Sequence, residues 1–587
     1  MIASSAKRGA AALLLATTVA TGTLAQAQNS GPIRLVPLAP ATEQQPQGSP
    51  ESQDGIQTQA LGAVDVDSIG LLNARNGGLG FDLWAGADRT TVTRLIGLIP
   101  TRAASPAMRD LMRRLLLTAA TAPNGSNPSG AMAETRIAAL LALGDAQGAA
   151  DLLRQLPPGS GSPVLAQAEV NALFQIGQAP RACGLAAEKM ALQDDPFWQK
   201  TLVFCQVLAG EPDKAGLSIG LLQETGHRDD AFFMLTDAMI AGNAEPLASL
   251  PGATPLHMAM AAAAKLAPPA TITDNQDPGV LRMAAENPSL GLLQRVKAAE
   301  RAEAAGALPT DDLRALYMQV PFSPEDMSNP LSRARDMDGP QSRALMIQAA
   351  KSQGIAAARA EVMAEALDVA RRGGRHAQAA RLYLNLLDEL RPTGDLDWFG
   401  PEAVRAFLAA GQPDRAARWL LLLRASARTD PQAEQALIDL MPLARLAGGS
   451  IGTSWTPADL TRWHGRALST EQGSDILAGF ERGALLFALL EAAGETVPDS
   501  YWLDLLAAPP QVMSAPPNTA AWTGLTRATQ AKKRGESLLY ALILLSEAGP
   551  GKASPSVLNK VVAALNTVGL HSEARAVAVE AAIAGGL

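Results

Sequence analysis

The chain has 587 residues, of which 47% are hydrophobic and 18% charged, and its formal net charge is −8. A diffuse acidic charge argues against a nucleic-acid-binding protein, because such proteins concentrate positive charge on one surface. Aromatic residues make up only 4% of the chain, so its core must be built mostly from alanine and leucine. This composition, with Gly and Pro between the apolar runs, favours closely packed helices over sheets.

The N-terminus has the layout of a secretory signal peptide. The basic pair Lys7-Arg8 precedes an Ala/Leu-rich run, which ends in a small-residue cleavage pattern closing on Ala27. The run is too short for a comfortable membrane span, which needs about 20 residues, and no cysteine follows it that could carry a lipid. We therefore expect residues 1–27 to be removed and the protein to be periplasmic or secreted in a bacterium, and not a lipoprotein. An uncleaved anchor or a flexible tail is the alternative. No transmembrane span is expected in the mature chain.

Composition also divides the rest of the chain. Residues 28–60 are rich in Pro, Gln and Ser and offer little apolar surface to bury, which is typical of a disordered linker. Residues 61–130 are predicted to form an N-terminal cap segment with the first helices. Helical repeats are predicted over 131–320, an irregular loop or hinge over 321–340, and a second helical-repeat segment over 341–587. The hinge interpretation and one continuous superhelix both remain open.

A glycine followed five residues later by an alanine recurs along the chain. Gly177 lies 33 residues after Gly144, and Gly210 lies 33 residues after Gly177. Glycine suits the left-handed conformation at a helix end, and a small alanine lets the next helix approach closely. A repeat of this length predicts an α-solenoid of stacked antiparallel helical hairpins. The pairs are Gly144 with Ala149, Gly177 with Ala182, Gly210 with Ala215, Gly374 with Ala379, Gly411 with Ala416, and Gly569 with Ala574.

This pattern resembles the tetratricopeptide-repeat superfamily, whose repeats commonly carry a Gly in the turn and an Ala early in the second helix. The resemblance covers residues 131–225, 360–430 and 553–587. It implies an all-α superhelix that binds a protein or peptide partner. The segment Thr254–Ala259 fits an ankyrin signature instead, but that signature does not recur 33 residues away. We therefore expect Pro255 to begin a helix and His257 to be an ordinary helix residue.

The two cysteines, Cys183 and Cys205, are equally distant from residue 194. Asp195 and Pro196 are suited to cap and begin a helix there. Two antiparallel helices folded about this point would place the cysteines side by side, at the Cα separation of about 5.5 Å that a disulfide needs. The sequence therefore predicts a structural disulfide in an oxidising compartment. A redox pair or a metal site is the alternative, without a C-x-x-C motif or further ligands nearby to favour it.

No motif predicts a catalytic residue, a cofactor or a metal. Ser450 lies in a G-x-S-x-G pattern, but a helical pattern precedes it where a nucleophile elbow needs a strand, so an interhelix loop is the better interpretation. No two histidines lie within one helical turn of each other, which excludes a paired ligand on one helix. The histidines are His227, His257, His376, His464 and His571.

The favoured function is a non-catalytic interaction scaffold or adaptor of the bacterial cell envelope with a protein or peptide partner. One alternative is a peptidoglycan-acting enzyme with a superhelical domain, whose site would involve the loop from Phe322 to Leu331. Another is a subunit of an export or secretion assembly. Six tryptophans are candidate surface anchors, with a core position as the alternative: Trp84, Trp198, Trp419, Trp455, Trp463 and Trp502.

Overall fold

The fold is entirely helical in the part of the chain that the structure covers. A computed structural model describes residues 65–125, 130–157, 159–189, 195–242, 247–448, 451, 456–468, 473–506 and 516–587. These residues belong to one compact unit and include no strand, only two isolated bridges. The predicted all-α class is therefore confirmed. The predicted signal peptide (1–27), the predicted linker (28–60) and Ser450 lie outside the described residues.

The first half of the described chain contains fifteen α-helices, of which the last two are short. They are α1 (Arg89–Ile96), α2 (Pro106–Leu117), α3 (Ala131–Ala142), α4 (Ala146–Leu153), α5 (Pro163–Gln175), α6 (Ala179–Lys189), α7 (Pro196–Leu208), α8 (Pro212–Glu224), α9 (Asp230–Ala241), α10 (Pro255–Ala263), α11 (Pro278–Glu286), α12 (Leu292–Ala305), α13 (Thr310–Tyr317), α14 (Pro324–Ser328) and α15 (Pro330–Arg333).

Thirteen further α-helices are described after these. They are α16 (Gly339–Ser352), α17 (Ala356–Arg372), α18 (His376–Glu389), α19 (Gly400–Ala409), α20 (Pro413–Ser426), α21 (Pro431–Ala447), α22 (Pro457–Leu468), α23 (Gly473–Ala492), α24 (Asp499–Leu506), α25 (Thr519–Gln530), α26 (Arg534–Leu545), α27 (Pro555–Thr567) and α28 (His571–Ala584). None of the helices in the described ranges combines the length and the hydropathy needed to cross a bilayer.

Many helices begin in the same way, with a capping side chain followed by proline. The capping Ser, Thr or Asp accepts a hydrogen bond from a backbone N–H of the first turn, and the proline occupies a position whose N–H needs no partner. Asp195 and Pro196 start α7 in this way, and Thr254 and Pro255 start α10, as predicted. The same arrangement begins α2, α5, α11, α14, α21 and α27.

The six repeat glycines close six helices in one conformation. Each has a positive φ, between 68° at Gly374 and 81° at Gly569. In each turn the next residue donates a backbone hydrogen bond to the carbonyl five positions earlier, as Asp145 does to Leu140 at 2.9 Å. This is the Schellman arrangement, which satisfies carbonyls left open at a helix end. The turns join α3 to α4, α5 to α6, α7 to α8, α17 to α18, α19 to α20, and α27 to α28.

The six repeat alanines are all buried, and most have no exposed surface. A seventh turn has the same geometry without glycine. Lys532 has φ 53°, Lys533 donates to Ala528 at 3.0 Å, and the residue five positions after Lys532 is the fully buried Ser537. The α25–α26 pair is therefore a hairpin of the same kind that a search for glycine and alanine misses.

The helices between α3 and α13 fold back on one another. After the pairs α3–α4, α5–α6 and α7–α8, the chain returns, so that α10 and α11 pack against α5 and α11 also contacts α3. Glycines allow these helices to approach one another closely. A Cβ added at Gly279 would lie 2.3 Å from the side chain of Gln175, and one added at Gly144 would lie 2.4 Å from that of Ala307. The returning helices α10 and α11 therefore cover part of α3 and α5.

The N-terminal segment, residues 65–118, packs against the C-terminal helices. Helix α1 contacts α26, and α2 contacts both α26 and α28. The backbone N–H of Gly535 donates to the carbonyl of Leu83 at 3.0 Å, and Arg114 forms an ion pair of 2.8 Å with the buried Glu573. A carboxylate oxygen of Glu580 accepts the N–H of Ala107 in the first turn of α2 at 3.0 Å. The two ends of the described chain are therefore joined.

One buried arginine holds the other side of this segment. Arg136 of α3 is 1% exposed and donates hydrogen bonds to the carbonyls of Leu116, Thr118 and Ile69. Burial lowers its pKa to about 10, against the opposing charge of Asp67. The guanidinium stays protonated and satisfies carbonyls at the end of α2, which explains how a buried charge is tolerated here.

A methyl group at Gly535 should separate the two ends. Its Cβ would lie 2.5 Å from the ring of Trp84 and 2.7 Å from the carbonyl of Leu83, and both groups are fixed by packing. We expect Gly535→Ala to lower the free energy of unfolding by about 1–3 kcal/mol, the usual cost of overpacking, measured by denaturant unfolding. Gly184→Ala is the matched control, because a Cβ there meets nothing within 4 Å. Equal stability of the two variants would contradict this account of the closure.

Candidate functional site

The predicted cysteine pair is joined in the structure. Cys183 of α6 and Cys205 of α7 form a disulfide with a Cα–Cα distance of 5.5 Å. It links two consecutive helices whose connection includes residues 190–194, which lie outside the described residues. The bond stabilises by restricting the unfolded chain.

Three of the five histidines are buried, and each contacts one carboxylate. Nε2 of His376 is 3.0 Å from Glu402, and Nε2 of His464 is 2.9 Å from Asp504. Nε2 of His257 is 3.2 Å from Asp229, and the same oxygen accepts a hydrogen bond of 2.6 Å from Lys200. No group of three or more potential metal ligands is present in the described ranges.

The His257 pair is built by two helix starts. Asp229 caps α9, and His257 belongs to a capping box with Thr254 at the start of α10. Burial lowers the pKa of His257 from its usual 6.5, although Asp229 opposes this. Burial would raise the pKa of Asp229, but hydrogen bonds from Lys200 and from the backbone of Phe232 bring it below its usual range. The imidazole is therefore favoured in its neutral form.

A cavity of about 280 Å³ lies between α13, the short helix α15, α16, α17 and α18. We call it the α16–α18 cavity. Part of its lining comes from residues 321–340, the stretch predicted to be irregular. In that stretch, Ser323 caps α14 in a capping box with Asp326, and Arg333 contacts Asp326 at 2.8 Å. Most of its wall is apolar, formed by Leu331, Ala334, Met337, Met346, Ile347, Ala366, Val369, Ala370, Ala379, Leu382 and Tyr383.

One end of the α16–α18 cavity is polar. Its polar side chains surround the carboxylate of Glu300, which is buried. Glu300 accepts a hydrogen bond of 2.6 Å from the hydroxyl of Tyr317 and one of 2.8 Å from Nε of Arg343. Nη1 of Arg375 lies 3.8 Å from the same carboxylate. Gln378 donates to the backbone carbonyl of Glu300 at 2.9 Å. Two arginines therefore share one carboxylate.

Charge and burial shift the pKa values at this end in a consistent way. Burial, reinforced by the carboxylate of Glu300, raises the pKa of Tyr317 well above its usual value, so its hydroxyl remains a donor. Burial and the repulsion of Arg343 lower the pKa of Arg375, although Glu300 opposes this. Within the described structure, Arg375 faces one carboxylate at 3.8 Å, and 45% of its side chain is exposed to water.

The sequence pointed to the loop from Phe322 to Leu331 as the place of an alternative enzyme site, and Leu331 of that loop lines the cavity, but the polar end was not indicated. Glu300, Tyr317, Arg343 and Arg375 come from four helices or their ends and form no local motif. The tryptophans predicted as candidate surface anchors are mostly in the core. Trp84, Trp198, Trp419 and Trp463 are buried, Trp502 is half-buried, and Trp455 lies outside the described residues. Trp398, which was not among these candidates, is half-exposed.

Comparison with protein-family models and with curated proteins finds no match to this chain.

Removal of the disulfide should have a measurable cost. We expect the variant with Cys183→Ala and Cys205→Ala to lose about 3 kcal/mol of unfolding free energy, the value typical for a loop of this length. Denaturant unfolding with and without a reductant measures it: the reductant should shift the midpoint of the native chain and leave that of the double variant unchanged. A native chain that is insensitive to complete reduction would contradict this expectation.

Stability should also fall in mild acid because of His257. Its folded pKa lies below its unfolded value of 6.5, so the unfolded chain takes up the proton first as the pH falls through about 6.5. We expect His257→Gln to lose less unfolding free energy than the native chain between about pH 7.5 and pH 5.5. His571→Gln, at an exposed histidine, is the control and should retain the native pH dependence. An unchanged pH slope in His257→Gln would contradict the assignment.

Proposed function

We propose that this chain is an exported, non-catalytic interaction scaffold of the bacterial cell envelope, built as a tetratricopeptide-repeat-like solenoid. Residues 1–27 serve as its signal peptide and residues 28–60 as its linker. Two observations support this class: the recurring glycine turns with buried alanines, and a disulfide, which persists in oxidising compartments. The proposal further assigns a docking surface for one helix of a protein partner.

The observation that carries the proposal is the uncovered face of α8. Helix α4 lies between α3 and α5, and helix α6 lies between α5 and α7, so each is covered by the next hairpin. Among the described helices, α8 has extensive contacts with α7 alone. Within the described ranges, the run of stacked hairpins therefore ends at α8 with no helix packed extensively on its outer face.

Two leucines are exposed on the outer face of α8, among the exposed polar residues Asp213, Lys214 and Glu224. Leu217 is 79% exposed and Leu221 is 53% exposed, on the side opposite the buried Ala215 and Leu222. Terminal repeats of helical arrays normally carry a polar outer face, because an apolar one favours association. Burial of two leucine side chains by a partner would contribute about 1.5–3 kcal/mol each.

The small residues on this face favour a helix as the partner. Gly216 and Gly220 lie one turn apart beside the two leucines, and a Cβ at either position would meet nothing within 4 Å. A second helix can therefore approach the backbone of α8 closely, and its apolar side chains can pack between the leucines. Such a helix would take the place that α5 and α7 take against α4 and α6.

A photocrosslinking amino acid placed at Leu217 tests this in intact cells. We expect a discrete crosslink to a protein, and we expect Leu221→Glu to abolish it, because a carboxylate would be buried unpaired in the interface. A crosslinker at Leu421 of α20, an exposed leucine on another helix, is the control and should give no such product. Persistence of the crosslink in Leu221→Glu would contradict helix docking.

Two further measurements check the crosslink result and separate this function from the peptidoglycan-acting enzyme. Leu221→Glu should change the free energy of unfolding by less than about 0.5 kcal/mol, as surface substitutions do, so a lost crosslink reports lost binding. Incubation of the purified chain with peptidoglycan should release no soluble fragments. Release of fragments would favour the peptidoglycan-acting enzyme and overturn the non-catalytic assignment.

A further inference from the structure

The α16–α18 cavity lies on other helices than α8 and plays no part in the scaffold function proposed above. Exposed lining residues, among them Arg335, Gly339 and Val369, place its mouth at the surface. Its volume of about 280 Å³ is near the lower end of the range typical of small-molecule sites. An apolar wall with a few polar groups gathered at one end is also typical of such sites.

The charges around the cavity leave one positive charge in excess. Arg335, Arg343 and Arg375 line it, with Glu365 as the acidic lining residue and Glu300 directly behind the polar end. The charge of Arg343 is balanced by Glu300, which it contacts through two of its nitrogens. The excess therefore falls on Arg335 and Arg375.

Both arginines are exposed to water, Arg375 with 45% of its side chain, and both have donors that no described residue uses. The guanidinium of Arg375 has a single ion pair, at 3.8 Å from Glu300, and makes no hydrogen bond to a described residue. The guanidinium of Arg335 makes neither an ion pair nor a hydrogen bond within the described ranges. The pKa of Arg375 is lowered by burial and by Arg343, so an added negative charge beside it would stabilise its protonated form.

We propose that the α16–α18 cavity binds a small monocarboxylic acid with an apolar body, such as a medium-chain acyl acid. The carboxylate accepts hydrogen bonds from the guanidinium of Arg375, and the chain lies against the apolar wall that includes Met346 and Val369. A planar guanidinium suits a carboxylate, since two parallel hydrogen bonds form. A single excess positive charge selects a monoanion over a cation.

Calorimetric titration of the full chain with octanoate, octanol and octylamine tests the proposal. We expect saturable binding of octanoate, and binding of octanol and octylamine that is weaker by about tenfold or more, as expected for loss of a charged hydrogen-bonding pair. Equal affinity for octanoate and octanol would overturn the proposal, as would the absence of saturable octanoate binding.

Three variants locate the site. Arg375→Gln should weaken octanoate about tenfold and leave octanol unchanged. Arg371→Gln is the control and should leave both unchanged, because Arg371 is 39% exposed, pairs with Asp368 and lies outside the lining. Ala366→Leu, which fills part of the cavity, should weaken both. Octanoate binding that survives Arg375→Gln and Ala366→Leu in folded protein would overturn the proposal.

A further titration with a peptide distinguishes two kinds of ligand that carry a carboxylate beside an apolar group, namely a small acid and the C-terminus of a peptide. The tripeptide Gly-Leu-Leu carries such a carboxylate at its C-terminus. We expect it to bind more weakly than octanoate, because its backbone amides would lose water against an apolar wall without gaining partners. Tighter binding of the peptide than of octanoate would overturn the assignment to a small acid. The crosslink through α8 is independent of either result, so the two proposals fail separately.

Discussion

The structure depends on the contact between its N-terminal segment and its last helices. Residues 65–118 lie between Arg136 on one side and α26 and α28 on the other, and Gly535 allows the backbone of α26 to approach Leu83. Arg109 of α2 also lies against Gly306 at the end of α12. The N-terminal segment thus contacts helices from the start, the middle and the end of the described chain. Through these contacts, the helices form one compact unit.

A short local turn recurs through this helical structure. A residue in the left-handed conformation ends one helix, and a small residue five positions later lets the next helix pack closely, as at Gly177 and Ala182. The turn does not require glycine, since Lys532 adopts the same conformation before the buried Ser537. Because each turn is short, successive helices are neighbours in space, and long-range contacts are then needed only to arrange the hairpins.

The two proposed surfaces follow from two different consequences of that arrangement. Where the hairpins stop, as at α8, two exposed leucines have no covering helix in the described part of the chain, and they suit another protein. Where the chain leaves the regular pattern, at α14 and α15, the helices separate enough to leave a cavity with a charged end. The first surface suits a macromolecule and the second suits a small acid, because one is an exposed helix face and the other is a lined recess.

Local patterns in the sequence were sufficient for the helical class, the glycine turns and the starts of α7 and α10, because hydrogen bonds within a few residues decide these features. The pairing of Cys183 with Cys205 was also accessible, since two consecutive helices and one turn place them together. Tertiary structure alone decided the closure of the two ends, the return of α10 and α11 onto α5, and the meeting of Arg343 and Arg375 at Glu300. Those contacts join residues far apart in the chain, and their formation depends on shape complementarity between packed helices, which no periodicity in the sequence encodes.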